Sequence, residues 1–130
     1  MRTQPAVNRA TQNPASECDK LAAALPGLIA ANAKQYKEIR ANMEALKRAG
    51  LTYAKPHWRE QKYLYLVYPC EGGDRKREYV GTDEQKIKAA HAAIARAHEY
   101  DSLALQLAQI EKRIAEGRHY LKEAIDALRD

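Results

Sequence analysis

The side chains that offer the most chemistry in this 130-residue sequence lie in its middle third. Six of the nine aromatic residues fall between Tyr53 and Tyr79, and seven basic side chains are interleaved with them. Lysine and arginine neutralise phosphate groups, and tyrosine hydroxyls also contact them. A two-stranded β-ribbon fits the major groove of duplex DNA. The composition and spacing of this segment therefore favour binding to nucleic acid.

Two other interpretations of the same residues stay open. Tyrosine and arginine are also the residues that anchor protein interfaces. Alternatively, the aromatic side chains only pack a hairpin onto helices, and the basic run forms a solvated edge that discourages aggregation. For either kind of partner, nucleic acid or protein, we expect contacts from nine side chains. With nucleic acid, Lys62, Arg75, Lys76 and Arg77 would contact phosphates. The nine are Trp58, Arg59, Lys62, Tyr65, Tyr68, Arg75, Lys76, Arg77 and Tyr79.

No residue pattern indicates catalysis, a metal or a cofactor. His91 and His98 are seven residues apart, whereas a zinc site on a helix usually needs a spacing of four or a Glu-x-x-His motif. We therefore expect both to be half-buried on a helix face. Gly72-Gly73 precedes a strand rather than a helix, so these glycines cannot hold phosphate at a helix N-terminus. We predict no enzyme activity, no cofactor and no metal.

The overall composition is that of a small, mildly basic, polar protein. The net charge is +5, the pI is about 9.2 and the mean hydropathy is −0.67. The longest apolar runs are far shorter than the roughly 20 residues of a membrane span. Cys18 and Cys70 lie far apart in the sequence; they could pair, but two reduced thiols are the usual state in the cytoplasm, where we expect this protein. Residues 1–15 predict a disordered tail.

A heptad pattern predicts a long helix before the aromatic segment. Pro26 interrupts a first short turn that Ser16 could cap, so we expect the helix to restart there. Asn32 lies on the seam, where it either sets the register or faces water near the helix end. Gly50 ends the helix. The seam consists of Leu25, Ile29, Asn32, Tyr36, Ile39, Met43 and Leu46.

A β-hairpin follows, formed by Lys62–Pro69 and Arg75–Val80 around the turn residues Glu71-Gly-Gly-Asp74. Centring the turn on the two glycines pairs Leu66 with Tyr79, Tyr68 with Arg77, Tyr65 with Val80 and Val67 with Glu78. A lone two-stranded hairpin is marginal in water. Residues 51–58 could supply a third strand, at an edge because of Pro56.

A second, longer helix follows the capping box Thr82-Asp-Glu-Gln85. Its two apolar stripes do not join in phase at Asp101-Ser102, which predicts either a break or a stutter there. The second stripe has no obvious partner within the chain. We therefore predict a homodimer held by this seam, through Leu103, Leu107, Ile110, Ile114 and Leu121.

These elements together predict a mainly α fold with long antiparallel, coiled-coil-like helices and one inserted β-hairpin. We expect a single domain over residues 16–130, with the hairpin insert at about 62–80. This arrangement places the aromatic and basic hairpin at one end of the helices.

The segment from Tyr63 to Lys112, with its run YLYLVYPCEGGDRKREYVGTDEQ before a charged helix, resembles a group of uncharacterised small proteins of phages and mobile elements. The resemblance implies only that setting, where small basic proteins often bind DNA or block a host defence complex. Our leading hypothesis is a non-enzymatic nucleic-acid-binding protein, for DNA rather than RNA. The alternative is a protein-interaction module, such as an anti-CRISPR-like inhibitor of a host nucleic-acid or defence complex.

Overall fold

Two long antiparallel helices and a three-stranded antiparallel sheet make up the described part of the chain. The computed structural model describes residues 13–70, 72 and 75–130. The predicted fold class is confirmed, while all but the last three residues of the predicted tail lie outside the described ranges. In chain order the elements are α1 (Ala15–Ala49), β1 (Lys55–Arg59), β2 (Tyr63–Val67), β3 (Arg77–Gly81) and α2 (Glu84–Leu128).

Helix α1 runs unbroken through Pro26, so the predicted restart at this residue is wrong. Proline lacks the N–H that would reach the carbonyl of Ala22, and the helix therefore forgoes one hydrogen bond. Both residues are exposed, so water can satisfy that carbonyl. The start of the helix also differs from expectation, because Pro14 rather than Ser16 holds the N-cap position. The Oδ1 of Asn13, one residue earlier, accepts a hydrogen bond from the N–H of Ala15 at 3.0 Å.

The heptad seam of α1 is confirmed except at Ile29, which is exposed. The other six seam residues are buried or half-buried, and Ile39 is the most buried of them. Asn32 lies on the seam as the first of its two interpretations predicts. Its Nδ2 donates to the Leu28 carbonyl, and its Oδ1 accepts from Arg113 Nη1 at 3.1 Å. Asn32 therefore ties the two helices together.

Helix α2 is continuous over 45 residues, so of the two alternatives at Asp101-Ser102 the break does not occur and the stutter within one long helix agrees with the structure. Tyr100, Leu103 and Ala104 are all half-buried, which carries the apolar stripe across the phase slip. The N-cap is Asp83 rather than Thr82, because Asp83 Oδ1 accepts from the N–H of Gln85 at 2.9 Å. The helix thus begins one residue later than the capping-box motif predicts.

The C-terminal half of α2 has a partner within the chain, contrary to prediction. Arg96 contacts Gly50, and Arg113 contacts Asn32. The two contacts are 17 positions apart in α2 and 18 positions apart from Asn32 to Gly50, so the helices stay in step over this length. Because α1 begins at Ala15, it is long enough to cover this half. Four of the five predicted oligomerisation residues are therefore buried or half-buried in the single chain, and Ile114 is 42% exposed. The four are Leu103, Leu107, Ile110 and Leu121.

Arg96 and the linker after α1 fix the position of the sheet. The Nε of Arg96 donates to the Gly50 carbonyl at 2.7 Å, and its Nη2 donates to the Ala49 carbonyl at 3.2 Å. The N–H of Thr52 donates to the Ala93 carbonyl at 3.1 Å. These bonds hold the C-terminus of α1 and the start of the linker against α2, and β1 begins three residues later.

The sheet has the order β1-β2-β3, with β2 in the centre. The third strand expected from residues 51–58 is present as β1, at an edge and with Pro56 within it. Leu64 and Leu66 of β2 are 0% and 3% exposed. Trp58 of β1 pairs with Leu64 and therefore lies on the same side of the sheet. The centroid of its ring is 6.1 Å from the centroid of the His91 ring on α2. This side of the sheet therefore packs on α2.

The predicted register of β2 and β3 is wrong by one residue over most of the hairpin. Leu64 pairs with Gly81, as the prediction requires, but Tyr65 pairs with Tyr79 rather than Val80. Val80 is therefore an extra residue, a β-bulge, and every pair beyond it is shifted. Because successive side chains point to opposite faces, this shift moves the rest of β3 to the other face. Three of the four predicted turn residues lie outside the described ranges.

No helix in the described residues is long and apolar enough to cross a bilayer. The longest, α2, measures roughly 68 Å, but charged residues recur along its whole length.

Candidate nucleic-acid interface

The side of the sheet that faces away from α2 carries most of the exposed basic and aromatic side chains of the strands. Because Leu64 and Leu66 point toward α2, the alternate residues of β2 point outward. Residues paired across antiparallel strands share a face, and the observed register then fixes the outward side chains of the other two strands. We call this surface the cationic face; it consists of Lys55, His57, Arg59, Tyr63, Tyr65, Val67, Arg77 and Tyr79.

The cationic face carries three permanent positive charges and, among the described strand residues, no carboxylate. Glu78 is the one acidic residue of the strands, and it pairs with Leu66 on the opposite side. Its Oε1 accepts a hydrogen bond from the hydroxyl of Tyr68 at 3.3 Å. The bulge at Val80 is responsible for this separation, because the unshifted register would place Glu78 opposite Val67 on the cationic face.

The aromatic side chains form a row between two rows of cations. His57, Tyr65 and Tyr79 pair across the three strands, and the ring centroids of the two tyrosines are 5.0 Å apart with a tilt of 53°. Tyr79 is 56% exposed. Lys55 and Arg77 lie in the neighbouring row on one side, and Arg59 and Tyr63 lie in the row on the other side. Each of these rows is about 7 Å from the aromatic row, measured along the strands. The face therefore offers rings for stacking and cations for phosphates over a short distance.

Four of the nine predicted contact residues meet on this face: Arg59, Tyr65, Arg77 and Tyr79. The predicted register would have left Arg77 and Tyr79 on the side of Leu66 and Tyr68. Lys62 lies in the turn between β1 and β2, with its Nζ 5.9 Å from the centroid of the Tyr63 ring. It extends the basic surface at the end of the face.

The other four predicted residues lie elsewhere. Trp58 is on the helix-facing side of β1. Tyr68 follows the end of β2 and is half-buried. Partial burial is the main cause that raises the pKa of its hydroxyl, and the nearby Glu78 carboxylate is the second cause. The Nζ of Lys76 lies 5.8 Å from the centroid of the Tyr68 ring. Arg75 is exposed just before β3 and lines a cavity described below.

Sequence reasoning missed Lys55, His57 and Tyr63 as members of the site. The signal was present, because Lys55, His57 and Arg59 alternate with Pro56 and Trp58. Once this segment is recognised as a strand, the alternation places the three basic side chains on one face.

The histidines on α2 are also placed differently from expectation. His91 and His98 are both exposed rather than half-buried. In the part of the chain that the structure describes, no three His, Cys, Asp or Glu side chains are placed to hold a metal ion.

Comparisons with known proteins add no information about this site. No family model, no curated protein and no solved structure matches the chain. The resemblance to proteins of phages and mobile elements therefore stays a prediction, and the interface must be interpreted from its own geometry.

Proposed function

We propose that this chain is a non-catalytic nucleic-acid-binding protein that holds DNA on the cationic face. The observation that carries the proposal is the segregation of charge across the sheet. Lys55, Arg59 and Arg77 point outward with three tyrosines, while Glu78 points to the other side. Such a surface attracts a polyanion and presents rings to its bases.

The two kinds of side chain favour a single strand over a duplex. Cations contact phosphates in either form. Aromatic rings such as Tyr79 and Tyr65 stack only on bases that are not already stacked and paired, and this stacking contributes about 1–3 kcal/mol per base. A single strand therefore uses the whole face, whereas a duplex uses its cations alone. We expect tighter binding to single-stranded DNA than to duplex DNA of the same length.

The salt dependence of binding tests this proposal. The affinity for a fluorescent oligonucleotide should fall steeply with salt, with a slope of about −0.7 for each phosphate neutralised on a single strand. Replacing Lys55, Arg59 and Arg77 by Ser should reduce the magnitude of the slope by about 2, because three contacts are lost. Fluorescence anisotropy over a salt series measures both quantities.

A matched control removes the same charge elsewhere. Lys20, Lys34 and Lys37 are exposed on α1, away from the sheet. Replacing these three by Ser should leave the slope unchanged. If both triple variants bind with the slope of the wild type, or if the wild type binds neither form of DNA at low salt, the cationic face is not a nucleic-acid site.

A protein partner is the second candidate function, as in an inhibitor of a host nucleic-acid or defence complex. The observation that favours it is the position of β1 and β3 at the two edges of the sheet, because an edge can pair with a strand of another protein. Binding of this kind would depend on the edge backbone and on Tyr79, with little dependence on salt. A proline in place of Arg77 would weaken such pairing only if β3 is the edge used.

We also propose that the chain forms a homodimer, through the distal ends of its helices rather than through the predicted seam. Residues 15–31 and 114–128 form these ends, farthest from the sheet. They carry three Lys or Arg residues and five acidic residues, so the mixed charges suit a second copy and not DNA. Seven large apolar side chains there are at least 42% exposed: Leu21, Leu28, Ile29, Ile114, Tyr120, Ile125 and Leu128.

Sedimentation of the full chain tests this dimer. A second helix pair would cover the exposed side chains, as in a four-helix bundle. Replacing Leu28 and Ile125 by Lys should then yield a monomer, while replacing Leu105, which is exposed outside these ends, should not. A wild type that sediments as a monomer at micromolar concentration contradicts the proposal.

The free, exposed thiols of Cys18 and Cys70 support the further proposal that the protein works in the cytoplasm.

A further inference from the structure

A cavity of about 360 Å³ lies beside one end of the cationic face. It is bounded by the linker before β1, by the segment after β2 and by one side of α2. Ala97, which is 2% exposed, lies in its wall on α2. The polar groups around it include those of Tyr53, Lys55, Cys70, Arg75, His98 and Asp101.

The cavity and the cationic face are continuous. Lys55 and Val67 pair with each other in the last row of the face, and both also line the cavity. A strand that follows the cations of the face therefore reaches the mouth of the cavity without leaving the protein surface. Arg75, which also lines the cavity, supplies a second cation beyond the last row.

The walls are mostly apolar, and Asp101 is the one carboxylate among the described residues that line them. Asp101 Oδ1 accepts a hydrogen bond from the hydroxyl of Tyr53 at 2.8 Å. This bond orients the carboxylate and leaves its second oxygen without a hydrogen-bond partner among the described residues. The same bond raises the pKa of Tyr53, so the hydroxyl stays protonated and keeps its role as donor. The cavity thus offers apolar surface to a flat ring and a fixed acceptor to an amine at its edge.

We propose that the cavity accepts one nucleobase of the strand that lies on the cationic face; this inference rests on the proposed function and names the subsite that selects a base. Lys55 and Arg75 hold the phosphates on either side of that base. Asp101 accepts a hydrogen bond from an exocyclic amine, which adenine, cytosine and guanine have and thymine lacks. The protein should therefore bind oligocytidylate more tightly than oligothymidylate.

The base preference is measured by fluorescence anisotropy with oligocytidylate and oligothymidylate of equal length. A good hydrogen-bonded base contact discriminates by about tenfold, and we expect the full chain to show about this ratio. Asp101→Asn should abolish the ratio, because an amide accepts from cytosine and donates to thymine. Tyr53→Phe should reduce it, because the carboxylate loses the bond that orients it. Lys20→Ser, on α1, is the control that should leave it unchanged.

Cys70 reports occupation of the cavity directly. Its exposed thiol lines the cavity, whereas the exposed thiol of Cys18 lies near the distal helix ends. Oligocytidylate should slow the alkylation of Cys70 by a maleimide several-fold and leave the rate at Cys18 unchanged. Conversely, protein alkylated at Cys70 in a Cys18→Ser background should lose the base preference while its binding to oligothymidylate keeps its salt dependence.

The outcomes separate the two proposals. Equal affinity for the two oligonucleotides, with Cys70 alkylated at the same rate in their presence, overturns the nucleobase cavity and leaves the cationic face as a binding site without base selection. Absence of binding to either oligonucleotide at low salt overturns the proposed function and the cavity with it.

Discussion

Among the Lys and Arg side chains for which the structure describes a hydrogen bond, Arg96 should contribute the most to stability. Its guanidinium donates to two carbonyls at the C-terminus of α1, those of Gly50 and Ala49. Hydrogen bonds to charged groups contribute about 1.5–3 kcal/mol when they are partly buried. A cation at a helix C-terminus adds about 0.3–1 kcal/mol. We therefore expect Arg96→Met, which keeps the apolar stem, to lower the free energy of unfolding by about 3 kcal/mol.

Urea denaturation followed by circular dichroism measures this loss. The midpoint should fall while the slope with urea stays constant, since the substitution alters a contact rather than the surface exposed on unfolding. Arg96→Lys should lose roughly half as much, because an ammonium keeps the charge but lacks the planar pair of donors. Arg118, exposed on the same helix, gives the control Arg118→Met. If both methionine variants unfold within about 0.5 kcal/mol of each other, near the usual limit for surface substitutions, the Arg96 contact does not hold the helices together.

Three further predictions concern single positions. Pro26→Ala should raise the free energy of unfolding by up to about 3 kcal/mol, because it restores a helical N–H; an unchanged melting temperature would show that the helix is not continuous there. Gln61→Gly should stabilise by about 1 kcal/mol, because Gln61 has a φ of +61°, while Gln61→Ala should not stabilise at all. The hydrogen bond to Asp101 raises the pKa of Tyr53 above its usual 10.0, so its stabilisation is present below pH 10.0 and lost as pH rises through the higher value. Ultraviolet titration of tyrosinate should show two late-ionising groups, Tyr53 and Tyr68, of which Asp101→Asn removes one, and no change in that variant would contradict the assignment.

Local sequence patterns predict the kind and order of four of the five elements and leave β1 as an option. Local periodicity predicts both helices, because seam positions such as Ile39 recur at heptad spacing whatever they pack against. The alternation of Leu64 and Leu66 with aromatic residues likewise predicts β2, and Gly50 marks the end of α1. These signals are local, since each depends only on residues within one or two turns of chain. The aromatic and basic segment was for the same reason recognisable as the candidate site.

Long-range packing and strand register set which of the aromatic and basic side chains share a surface. A single bulge at Val80 moves Arg77 and Tyr79 onto the face of Tyr65 and puts Glu78 on the other side. Gly81, which has a φ of +104°, is the kind of residue that often marks a bulge, but a glycine also commonly ends a strand, so the sequence does not choose the register. The contact between Leu64, Leu66 and α2 sets the orientation of the sheet, and with it which residues point outward. Likewise, Ile110 is buried by a long-range contact between the two helices, so four of the five residues of the predicted dimer seam are at least half-buried within the single chain.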